Sequence, residues 1–166
     1  MKTELRMNVA DLLRHPGMTR NVQLEVPLPD LGTSVAWVDE ASPVALDLRL
    51  ESASGGVVAS GRVRGRWTAT CSRCLAPLRE DFDLRLQEVF EEHPVEDETY
   101  PISNDEIDLE QPLRDLVVPD LPLVPLCAPS CQGLCPSCGV NRNETECSCA
   151  EAPADARWDA LRDLNL

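Results

Sequence analysis

The chain has 166 residues and a net charge of −14. Residues 1–80 carry 10 Lys/Arg against 9 Asp/Glu, net +1, and residues 81–166 carry 5 against 20, net −15. The length fits one domain or one domain with an appendage. The acidic half is expected to repel bare nucleic acid and to attract a basic protein partner. With aromatics at only 4%, Val, Leu and Ala must supply most of the core.

The opening stretch MKTELRMNVADLLRHPG has no apolar h-region. Nowhere does the chain approach the roughly 18 apolar residues of a membrane span. A cytoplasmic protein is expected, in which paired cysteines signify metal rather than disulfides.

In chain order, NVADLLRHPG predicts a short helix, capped by Asn8 and ended by His15-Pro16-Gly17. VQLEVPL, from Val22, alternates apolar and polar. So does VALDLRLE, where Val44, Leu46, Leu48 and Leu50 face one way and Asp47, Arg49 and Glu51 the other. Ser54-Gly55-Gly56 signals a turn, and GVVASGRVRGRWTAT continues as a long strand into Cys71. DFDLRLQEVF places Phe82, Leu84, Leu86 and Phe90 on one face.

Beyond it, EEHPVEDETYPISNDE is acidic and turn-rich, and reads as a surface linker. Leu109, Leu113, Leu116 and Val117 then follow helical spacing. Asp108 and Gln111 resemble a capping box, and Pro119 and Pro122 stop the helix. A final short helix is expected in ADARWDALRDL, with Trp158, Leu161 and Leu164 on one side.

The expected fold is α+β: mainly an antiparallel sheet or partial barrel with short helices and a cysteine-rich, zinc-binding C-terminal segment. Its parts form one compact unit: a β-rich region with the N-terminal helix over 1–92, an acidic linker and helix over 93–126, the zinc-binding segment over 127–150, and a helical tail over 151–166.

The chemistry concentrates in the cysteines. Of eight, six lie in CAPSCQGLCPSCGVNRNETECSC, residues 127–149, and two in CSRC, Cys71 and Cys74. A C-x-x-C turn aims two thiolates at one metal, and Gly139 permits the tight backbone after CPSC. Eight thiols make two four-thiolate sites, hence two zinc ions. Iron–sulfur lacks the ferredoxin run C-x2-C-x2-C-x3-C. Local closure costs less entropy. It favours Cys135, Cys138, Cys147 and Cys149 as one site, and Cys71, Cys74, Cys127 and Cys131 as the other. The rival partition pairs the two C-x-x-C turns, as zinc ribbons do.

A catalytic zinc keeps an open position, and this ligand count suits two closed sites. His15 and His93 sit in a helix end and an acidic loop, where cap or surface roles are expected. No phosphate loop or Ser-nucleophile motif is present in the sequence. A protein without catalytic residues is therefore expected. A metal- or thiol-dependent enzyme acting on RNA stands as the alternative.

Two charged features complete the inventory. Arg62, Arg64 and Arg66 share a strand face and could grip phosphates, or pair with acids such as Asp81 and Asp83 on a neighbouring strand. Trp67 belongs to the opposite, buried face. The acidic run containing Glu91, Glu92, Glu96 and Asp97 is either a solvated face or a docking surface for a basic protein.

The segments CSRCLAPL, LPLVPLC, CQGLCPSCGVNRN and CSC, with the tail ARWDALRDL, resemble the YceD family of large ribosomal RNA subunit accumulation proteins. The likeness is tight over 71–78 and 121–149 and loose over 20–166. It implies a cytoplasmic bacterial-type protein that is not an enzyme and acts in accumulation of large-subunit ribosomal RNA. It also implies a link to a small zinc-ribbon protein of the large subunit. With the acidic half, the implied partner is a basic large-subunit ribosomal protein or a pre-ribosomal particle; Arg62, Arg64 and Arg66 could still touch ribosomal RNA once such a partner delivers the chain. No catalytic residue set comes with the motif.

Overall fold

A computed structural model describes residues 5–96 and 98–149. Its elements run β1 (Arg6–Asn8), α1 (Ala10–Arg14), β2 (Thr19–Val26), β3 (Ala36–Val38), β4 (Val44–Ala53), β5 (Gly56–Thr70), β6 (Pro77–Glu91), β7 (Tyr100–Pro101), β8 (Glu106–Asp108) and α2 (Glu110–Val117). A 3-10 turn, Val118–Asp120, closes the series. The fold is α+β. The main sheet has the order β2-β4-β5-β6-β7, with β3 on β5 beyond the end of β4. All its pairings are antiparallel except β6–β7.

Period-two alternation builds this sheet. Val44, Leu46, Leu48 and Leu50 of β4 are buried, as are Val57, Ala59, Val63 and Trp67 of β5 and Phe82, Leu86 and Phe90 of β6. One face is thus a continuous apolar surface. Leu12 of α1, Leu113 and Val117 of α2, and Ile107 of β8 join its core cluster. Gly65 lies opposite Phe82 in the register, and a Cβ on Gly65 would stand 2.5 Å from the Phe82 Cζ, so the ring takes the place of the missing side chain.

The sheet is not a closed barrel: β2 and β7 lie at its two ends, and no pairing joins them among the described residues. Several local expectations also change. Asn8 belongs to β1, which pairs with β8, and the cap position of α1 is Val9. The Asn8 Oδ1 still accepts the Ala10 amide at 3.1 Å.

At α2, the Asp108 Oδ1 accepts the Glu110 amide at 2.9 Å. Gln111 does not complete a capping box: its Nε2 donates to the Asp115 Oδ1 at 2.9 Å. The stretch expected to be a linker contains β7, buries Ile102 and runs directly into β8, whose Ile107 is also buried. The C-terminal helix with Trp158, Leu161 and Leu164 lies outside the described residues.

Candidate metal centres

The turn between β5 and β6 is the first C-x-x-C. β5 and β6 pair down to Thr70 and Pro77, leaving six residues, 71–76, to reverse the chain. The Cys71 amide donates to the Ala76 carbonyl at 2.8 Å, and the Leu75 amide donates to the Cys71 carbonyl at 3.0 Å. Leu75 takes φ 61° to allow this. The second C-x-x-C repeats the pattern. The Cys135 amide donates to the Val140 carbonyl at 2.8 Å, the Gly139 amide to the Cys135 carbonyl at 2.8 Å, and Gly139 has φ 75°.

Each turn gathers two further thiols. Cys71, Cys74, Cys127 and Cys131 place their sulfurs within 4.8 Å of one another, as do Cys135, Cys138, Cys147 and Cys149. All eight cysteines are free thiols. The Cys71 and Cys131 sulfurs are 3.9 Å apart and the Cys74 and Cys127 sulfurs 3.6 Å. A tetrahedron with metal–sulfur bonds of about 2.3 Å has an edge of about 3.8 Å. The thiols therefore fit a tetrahedral divalent ion, with all four positions filled by protein. The ribbon partition is not adopted, because Cys71 and Cys138 fall in different groups.

Hydrogen bonds tie the first centre to the chain that follows α2. The Ser72 amide donates to the Pro125 carbonyl at 2.8 Å, and the Leu134 amide donates to the Arg73 carbonyl at 3.0 Å. The Arg73 guanidinium donates to the Cys131 carbonyl at 2.9 Å and the Pro129 carbonyl at 3.3 Å. The Asn143 Nδ2 donates to the Cys131 sulfur at 3.4 Å, and its Oδ1 accepts the Gln132 amide at 2.8 Å. Cys71, Cys74 and Cys131 are buried, and Ala76, Leu78, Leu126 and Leu134 pack around them.

The two centres share one electrostatic feature, a first thiol held low by backbone amides. Backbone amides of Cys74, Arg73 and Cys127 aimed at the Cys71 sulfur pull its thiol down to about 6. Amides of Cys138 and Ser137, with the Cys147 thiol, do the same for Cys135, also to about 6. The last thiols resist. Cys127 is pushed up to about 12, foremost by its hydrogen bond with Cys131, and Cys149 to about 12, foremost by Cys138. Against the cost of burial, the Gly133 amide and Asn143 also hold Cys131 below the usual thiol range, while Cys74 and Cys147 are pushed up. The last protons of each centre leave when a cation enters.

The other candidate residues are placed apart from the thiols. Arg62 donates to Asp83 at 3.1 Å and Arg66 to Asp81 at 2.7 Å, while Arg64 lies 3.8 Å from Asp47. Trp67 is buried beneath them. Glu91 ends β6, and its Oε2 accepts a hydrogen bond from the Thr99 hydroxyl at 3.2 Å. Glu92 and Glu96 are exposed beyond it; Asp97 lies outside the described residues. His93 is exposed, and the His15 Nδ1 donates to the Asp11 carbonyl at 2.9 Å, closing α1.

Arg73 and Asn143 were not singled out from sequence. Their positions inside C-x-x-C and between the cysteine pairs are the only signal they carry there.

Comparison with known proteins places this arrangement. The family described as "Large ribosomal RNA subunit accumulation protein YceD" matches residues 59–165, a span that begins in β5 and includes both cysteine turns. A protein of Mycobacterium tuberculosis, itself uncharacterized, is 35% identical over 168 residues, covering 96% of this chain and 81% of its own. A Mycobacterium leprae protein, also uncharacterized, is 32% identical over 143 residues, covering 81% of this chain and 65% of its own. A maize protein named large ribosomal RNA subunit accumulation protein YCED homolog 1, chloroplastic, is 25% identical over 160 residues, covering 72% of this chain and 55% of its own. No solved structure matches. Since the family match takes in all eight thiols and most of the chain, this chain belongs to the YceD family of large ribosomal RNA subunit accumulation proteins.

Proposed function

We propose that this protein is a non-enzymatic factor in biogenesis of the large ribosomal subunit, working in the cytoplasm. It supports accumulation of large-subunit ribosomal RNA by binding a basic ribosomal protein or a pre-ribosomal particle. The observation that carries this is the pair of closed four-thiol groups in a chain of this family. Zinc in each would supply a cross-link and folding free energy, and four protein ligands leave no position for a substrate. The ligands are Cys71, Cys74, Cys127 and Cys131 in one site and Cys135, Cys138, Cys147 and Cys149 in the other.

Charge supports the partner class. Residues 81–166 carry 5 Lys/Arg against 20 Asp/Glu. Four thiolates on a divalent ion add further negative charge at each centre. A basic protein is steered toward such a surface, with an on-rate that falls as salt rises. Glu92, Glu96 and Asp97, in the segment after β6, are the docking acids, with Glu91 at its root.

The test is purification from cell lysate with bound RNA and protein both identified. It is followed by affinity measurements at two salt concentrations for basic large-subunit proteins and for bare RNA. Tighter binding to a basic protein, weakened by neutralising Glu92, Glu96 and Asp97, supports the function. Absence of large-subunit components, or turnover of RNA by the pure protein, overturns it.

A further inference from the structure

The solvent face of the sheet sets two like charges opposite each other in register. Arg62 of β5 and Arg85 of β6 stand directly opposite each other in the antiparallel register. Directly opposed like charges destabilise a sheet. Arg62 turns aside to Asp83. Arg85 has no ion pair among the described residues.

The two arginines edge a polar depression of about 760 Å³ that crosses β2, β4, β5 and β6. Its charged lining is Arg49, Arg62, Arg85 and Asp47. Arg49 lies 3.5 Å from Glu51 and Arg62 3.1 Å from Asp83, and Asp47 is engaged by Arg64 at 3.8 Å, which leaves Arg85 as the lining guanidinium without an ion pair among the described residues. Gly61 lies in the lining where β5 passes close to the β4 backbone: a Cβ there would stand 2.1 Å from the Asp47 carbonyl oxygen. Guanidiniums present a rigid fork of donors that matches phosphate oxygens, and the exposed pairs of Arg49 and Arg62 are weak enough to exchange a carboxylate for a phosphate beside the unpaired Arg85.

We propose that this depression binds the phosphate backbone of RNA. Asn21, Ser60 and Gln87 line it beside the arginines and supply neutral donors and acceptors for phosphate oxygens or the 2′-hydroxyl. No aromatic side chain lines it, so bases have nothing to stack on. The contact is with backbone and shape, not sequence, which suits a structured or paired RNA. The anion site rests on the geometry alone. The choice of RNA over an acidic peptide rests on the function proposed above. This contact complements the acidic docking surface, since the arginines occupy the middle of the sheet and the acids lie beyond the end of β6.

The experiment uses the full metal-loaded chain and a fluorescent RNA hairpin, titrated by anisotropy at several salt concentrations. The variants are Arg85→Ala, Arg49→Ala and, as control, Arg6→Ala, whose guanidinium is paired with Asp108 on the small sheet. Arg85→Ala is expected to weaken hairpin binding by about tenfold and to lower the salt slope by about one contact. Its thermal midpoint should stay level or rise, because a like-charge pair is relieved; the loss is then not one of folding. Arg49→Ala should act in the same direction, and Arg6→Ala should do nothing.

Undetectable hairpin binding, or equal affinity in the parent and Arg85→Ala, overturns the proposal. So does displacement of the hairpin by poly-glutamate more readily than by unlabelled RNA, which would make an acidic protein segment the occupant. Failure of the lysate purification to yield large-subunit components would overturn the proposed function and leave the hairpin result standing.

Discussion

Leu75 and Gly139 hold equivalent places in the two cysteine turns. Each follows the second cysteine of its C-x-x-C, each donates its amide to the carbonyl of the first cysteine, and their φ angles are 61° and 75°. Left-handed backbone costs a side chain of this kind about 1–2 kcal/mol and costs glycine little. Leu75 is 62% exposed, so its replacement forfeits little burial. Leu75→Gly should therefore raise the urea midpoint or leave it unchanged. Gly139→Ala, where a Cβ meets nothing within 4 Å, should lower stability by about 1 kcal/mol through backbone strain alone. Midpoints moving in the same downward direction for both variants would contradict the equivalence.

Asn143 belongs by position to the second centre, between Cys138 and Cys147, yet its amide donates to Cys131 of the first. Partners hydrogen-bonded to a metal ligand typically carry about 10- to 100-fold of metal affinity. Asn143→Ala should weaken the first centre by that order and leave the second nearly intact. Chelator competition, with one metal released earlier than the other, reads this out. Loss confined to the second centre would show that the contact has no influence on metal holding.

Metal affinity should rise with pH. In the metal-free centres Cys71 and Cys135 ionise near 6, while Cys127 and Cys149 stay protonated until about 12. Binding at any pH between these values must expel protons from the latter pair, so higher pH favours the bound state. Below about 6 Cys71 and Cys135 also protonate, and the fall should steepen. Competition against a calibrated chelator at several pH values measures the slope. A flat profile would mean that the thiols are ionised before metal arrives.

The long strands were legible because their period is two and one face is buried. β4 shows this most plainly, with Val44, Leu46, Leu48 and Leu50 against Asp47, Arg49 and Glu51. β1, β3, β7 and β8 have two or three residues each, too few to display a period, and they exist through their partners. Asn8 reads as a cap from local sequence, and pairing with β8 moves it into a strand. The thiol grouping was legible because short loops close at lower entropic cost. The charged face was legible only in part. Arg62 and Asp83 can be paired from alternation, but Arg62 opposite Arg85 depends on the register set by the Cys71–Ala76 turn.

Metal content of the freshly purified, reduced protein and of two single variants tests the account most directly. Two zinc ions per chain are expected in the parent. Cys71→Ser and Cys138→Ser should each lose a different ion and keep the other, because their thiols belong to separate groups. One zinc or fewer in the parent, or loss of the same ion in both variants, would contradict it.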